Sequence, residues 1–90
     1  MQLICVTDDA GSVTQPHWLL RVEKVHRQLR PQLPQDYAAR LSAVFANGGR
    51  MTLVLDGEAV VCVALWRIIE NTYEGRRLYV DDLVSDENRR

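Results

Sequence analysis

The sequence predicts one α+β domain, a mostly antiparallel sheet with helices packed on it, in the order strand, helix, helix, strand, strand, strand. Three observations carry this reading. Two stretches, about 16–30 and 34–47, repeat apolar residues at helical spacing. Two apolar runs, Met51 to Leu55 and Ala59 to Ile69, are joined by Asp56-Gly57-Glu58, and Asp-Gly between such runs is a strong hairpin signal. A third β-prone run, Leu78 to Val84, follows the turn-forming Asn71-Thr72-Tyr73-Glu74-Gly75.

Taken in order, Leu3 to Val6 reads as the first strand, closed by the turn-rich Thr7-Asp8-Asp9-Ala10-Gly11-Ser12. Thr14 is placed to cap a helix, and Pro16 fits its opening turn, where a missing N–H does no harm. Trp18, Leu19, Val22, Val25 and Leu29 form its apolar stripe, with Arg21, Glu23, Lys24 and Arg27 mostly opposite. The helix is expected to end near Arg30, because Pro31 disfavours helical geometry before it. His26 borders the stripe and reads as a boundary or surface residue.

Pro31-Gln32-Leu33-Pro34 is a short stiff connector. The second helix then places Tyr37, Leu41, Val44 and Phe45 on one face, and Asn47-Gly48-Gly49 stops it. Ala59 to Trp66 is apolar at every position, so this strand should be covered on both faces. Two helices cover one face well. Something else is expected on the other.

Composition narrows the function classes. Ninety residues with 47% hydrophobic content and a net charge of −1 describe an ordinary globular chain. Near-neutral charge gives no electrostatic case for nucleic acid or an anionic membrane. No apolar run approaches the roughly 20 residues that span a bilayer. The first nine residues lack a basic segment and turn acidic early, unlike a signal peptide. Cys5 and Cys62 sit in separate apolar runs, which argues for reduced core thiols in a cytoplasm. No metal site is expected, since His17 and His26 stand apart without further ligands in register.

The chemistry concentrates near the carboxyl-terminal strand. Asp81 and Asp82 interrupt an apolar run, and strict alternation sends one to each face of the sheet. A buried, unpaired carboxylate is costly, so at least one of them requires a partner or a cleft.

Leu78-Tyr79-Val80-Asp81-Asp82-Leu83-Val84, followed by a short polar run and Arg89-Arg90, resembles the fourth strand of the GNAT-type N-acetyltransferases. The preceding strand, two helices and hairpin are compatible with the amino-terminal half of that acyl-CoA N-acyltransferase fold over nearly all of residues 2–90. The resemblance implies transfer of an acetyl group from acetyl-CoA to an amine. It implies Asp81 as the general base and Asp82 as a carboxylate that binds a cationic substrate or pairs with a structural arginine. It further implies that the main chain of Leu83, Val84 and Ser85 pairs with the pantetheine arm. Arg90 falls at the first position of the pyrophosphate loop, whose glycines do not follow within these residues. The chain alone is therefore expected to be an inactive amino-terminal portion that binds acetyl-CoA poorly. The resemblance also places acceptor specificity partly in the segment from about Gln28 to Asp36. The competing reading is a small non-catalytic α+β module acting through protein contacts. Under either reading the uncovered strand face favours a homodimer or pairing with a carboxyl-terminal half.

Overall fold

The computed structural model describes residues 1–89, so Arg90 and the role expected for it lie outside the described residues. A four-stranded antiparallel sheet, in the order β1-β2-β3-β4, carries two helices. The strands are β1 (Gln2–Cys5), β2 (Arg50–Asp56), β3 (Ala59–Asn71) and β4 (Gly75–Ser85). The helices are α1 (Pro16–Leu29) and α2 (Tyr37–Ala46), and a short 3-10 turn covers Glu87–Arg89. The expected order of elements is found, with boundaries shifted by a few residues.

The first strand ends one residue earlier than expected, at Cys5, although the Val6 N–H still donates to the Met51 carbonyl at 2.9 Å. Thr14 does not cap α1. Its hydroxyl donates to the Val6 carbonyl instead, which ties the helix entry to the end of β1, and Pro16 takes the first helical position. The second helix begins at Tyr37 rather than near 34, because Asp36 caps it by accepting from the Ala39 N–H at 3.0 Å.

Two glycines set the turns that the sequence announced. Gly48 takes a φ of +97° beyond α2. Gly48 N–H then reaches the Phe45 carbonyl and Gly49 N–H the Val44 carbonyl, the pair of bonds that closes a Schellman ending. Gly57 takes a φ of +60° at the first position of the two-residue β2–β3 turn, conformationally open only to glycine-like residues.

The core lies between the helices and one face of the sheet. Leu19, Val22 and Val25 from α1 and Tyr37, Leu41 and Phe45 from α2 pack on Met51, Leu53, Leu55, Val63 and Leu65. The opposite face has no covering layer among the described residues. On it Leu3, Leu78, Val80 and Leu83 are exposed, with Val54, Ala64 and Trp66 half-buried. The second cover expected over Ala59–Trp66 is not supplied by any element among the described residues.

Candidate functional site

The carboxyl half of β4 is where side chains from four elements converge. The β3–β4 register slips there: Leu65 pairs with Asp82, but Trp66 pairs with Val80, so Asp81 is an extra residue in β4. The bulge overturns the expectation of one carboxylate on each face. Both Asp81 and Asp82 engage groups on the helix side, because the inserted residue breaks the alternation.

Asp82 is 8% exposed and both of its oxygens are engaged. Oδ2 accepts from His26 Nε2 at 2.7 Å, and Oδ1 accepts from Arg30 Nε at 2.9 Å and from its Nη2 at 2.7 Å. His26 Nδ1 lies 2.7 Å from the Tyr37 hydroxyl. With Nε2–H donating to Asp82, Nδ1 accepts from the hydroxyl, and every member of the chain is satisfied. No buried side-chain nitrogen or oxygen is unpaired among the described residues. Of the two roles expected for Asp82, the pairing with an arginine is present in the fold, and both oxygens have protein partners.

The electrostatics agree with that role. Burial pushes the Asp82 carboxyl upward, but the hydrogen bonds from His26 and Arg30 and the charge of Arg30 outweigh it and hold the group below its ordinary range. The same hydrogen bond and charge raise Arg30. Burial, aided by Glu23, pushes the Tyr37 hydroxyl well above the usual phenol range. A hydroxyl, an imidazole and a carboxylate in line have the connectivity of a nucleophilic triad, but a buried phenol that resists ionisation is no nucleophile. The cluster instead locks α1, α2 and β4 together.

His26 was expected at the boundary or surface and is 1% exposed. The spacing contained the missed signal: Val22, Val25, His26 and Leu29 share one helical stripe, and Arg30 follows His26 by four residues. Both His26 and Arg30 meet Asp82, while Asp81 takes its partner from β3.

Asp81 is different. Its Oδ2 accepts from Arg67 Nε at 2.8 Å, and Arg67 is itself anchored through Nη1 to the Asn47 carbonyl at the end of α2. Its Oδ1 has no protein partner among the described residues, and about a quarter of the side chain remains open. Of the remaining expected site positions, Leu83 is exposed, Val84 is buried in the core, and Ser85 is exposed at the strand end. The outer edge of β4 pairs with no strand among the described residues.

Two open cavities lie elsewhere. One of about 540 Å³ at the Cys5 end of the uncovered face is lined by Asp8, Asp9, Trp66, Ile68 and Arg76 among others. The second, of about 430 Å³, lies at the opposite end, between Met1, Cys62 and Arg89. No cluster of three metal-ligating side chains occurs among the described residues, and no helix is long and apolar enough to cross a membrane.

No protein-family model matches the sequence, and no curated protein matches it. Among solved structures, the crystal structure of a mutant BH1408 protein from Bacillus halodurans is similar, with a TM-score of 0.54 at 18% identity. The likeness covers 100% of this chain and 64% of that one, so this chain spans under two-thirds of the matched structure's length. At that identity it is a likeness of fold alone.

Proposed function

We propose that the chain is the amino-terminal half of a GNAT-type N-acetyltransferase domain, which transfers the acetyl group of acetyl-CoA to an amine in the cytoplasm. The observation that carries this reading is the bulge at Asp81. It bends β4 at the point where a main-chain edge lies open and presents a fixed carboxylate with one unengaged oxygen. The element order, two helices on one face and a bare second face, supports the acyl-CoA N-acyltransferase fold in the same direction.

In this reading Arg67 holds Asp81 in place, and Oδ1 accepts the proton that the attacking amine must lose. The outer edge of β4 at Leu83 and Val84 supplies backbone groups for an extended ligand arm. Acetyl-CoA supplies the activated thioester. Its phosphates call for a loop of backbone amides at a helix N-terminus, and no α-helix follows β4 within residues 1–89. Asp82 keeps the bulge rigid from below through His26 and Arg30.

Calorimetry with acetyl-CoA tests the placement of the phosphate site. The 90-residue chain is expected to bind at about 1 mM or weaker, on the order of −4 kcal/mol. Micromolar affinity would remove the loop after β4 from the reading. In a chain extended through that loop, Asp81→Asn is expected to lower turnover roughly 100-fold or more. Unchanged turnover would take the base role away from Asp81.

A further inference from the structure

The bare sheet face is large for a monomer. Leu3, Leu78 and Leu83 keep 69%, 60% and 64% of their surface, and Val80 keeps 47%. With the half-buried Val54 and Trp66, these residues offer on the order of 500 Å² of exposed surface, the upper end of what a monomer leaves in one apolar patch. The whole molecule carries the same signature. Size scaling gives a monomer of this mass a surface of about 5,350 Å², whereas the chain exposes 5813 Å².

The edges of the sheet are guarded, while this face is not. The bulge at Asp81 interrupts the β4 edge, and β1 at the other edge is only four residues long. Both devices discourage edge-to-edge pairing. The face carries no such device, since its centre is Val54, Ala64, Trp66 and Val80 without a charge.

The rim adds direction. Asp8 and Asp9 follow β1, and Arg76 opens β4 at the same end of the sheet, across its width. The Asp9 carboxylate has no partner among the described residues, and Arg76 meets only Glu70, at 3.9 Å with both side chains about three-quarters exposed. A two-fold axis running along the strands lays β1 of one copy over β4 of the other, with like ends together. It therefore carries Asp9 of each copy toward Arg76 of the other on both sides of the interface.

We propose that this face is the interface of a homodimer, sheet packed on sheet, in which Arg76 of each copy pairs with Asp9 of the other. The inference concerns the 90-residue chain by itself, and a carboxyl-terminal half of the kind the acetyl-transfer reading requires would compete for the same face. Sedimentation across a concentration series is expected to show a species of twice the 10.3 kDa chain mass. Leu83→Glu should weaken association at least tenfold, whereas Leu20→Glu, on an exposed position of α1, should leave it unchanged. Arg76→Glu and Asp9→Arg should each weaken it several-fold, and the two together should restore it. Both sit on exposed positions, and circular dichroism on each variant reports folding separately.

A chain that stays monomeric at high micromolar concentration overturns the proposal and leaves the face to a different occupant. So does a dimer that ignores Leu83→Glu. Failure of the double charge reversal to restore association removes the proposed axis.

Discussion

The two faces of this sheet are built from alternate residues of the same strands, and they end in opposite states. On the helix side, Leu53, Val63 and Leu65 are buried, and both oxygens of the buried Asp82 are paired. On the other side, Leu78, Val80 and Leu83 meet water. The contrast shows that apolar content alone does not say whether a face is covered. Cover depends on which elements reach it. Here α1 and α2 both reach the same one, and they bring His26, Arg30 and Tyr37 with them.

The largest effect should come from unlocking the covered face. Asp82→Ala strands a buried imidazole and removes the anchor of Arg30, and breaking such a buried pair costs roughly 3–5 kcal/mol. Total stability of small domains is only about 5–15 kcal/mol, so the variant should melt far below the parent. Asp81→Ala breaks a half-open pair with Arg67 and should cost roughly 1 kcal/mol or less. Urea unfolding of the two variants measures the difference. Equal losses would mean that the two adjacent carboxylates do the same structural work.

A second comparison sets leucine against leucine. Leu53→Ala removes a fully buried side chain facing the helices and should cost roughly 2–5 kcal/mol. Leu83→Ala, on the bare face, should change the unfolding free energy of dilute protein by roughly 0.5 kcal/mol or less. A large loss at Leu83 under dilute conditions would show that something already covers that face within one chain.

The fold was legible wherever a local signal was strong. The Asp56-Gly57 turn, the Asn47-Gly48-Gly49 stop and the apolar run of β3 each settle a short stretch by backbone geometry or burial, and all three stand where expected. The failures came where long-range partners decide. Thr14 had a nearby helix to cap and found the carbonyl of Val6, just beyond β1, instead. Asp81 and Asp82 obeyed alternation only until a bulge, which no residue type in β4 announces, put both on one side. His26 read as a boundary residue because its partner, Asp82, lies 56 positions away. The candidate site was thus half visible: the two acids were found, but not the groups that set their roles.

The smallest expected effect is a pH dependence confined to the covered face. Asp82 is held below the ordinary carboxylate range in the folded chain, so the unfolded chain binds the proton more readily. Its contribution is therefore fully present above the unfolded value, near pH 4, and is lost as the pH falls through the folded one. Between pH 7 and 5 this group should add no slope to the unfolding free energy. Asp86 has the same sign, because Gln28 first, and then the Asn88 N–H, hold its carboxylate low. Asp82→Asn should accordingly flatten the acid loss without abolishing it, and Asp82→Asn with Asp86→Asn should flatten it further. The apolar residues of the bare face, Leu3, Val54, Leu78, Val80 and Leu83, do not titrate. Urea unfolding at half-unit steps from pH 7 to 3 tests the assignment. An Asp82→Asn variant with the parent's acid slope would place the loss outside the His26–Asp82–Arg30 cluster, and with it the claim that this cluster is what holds the covered face shut.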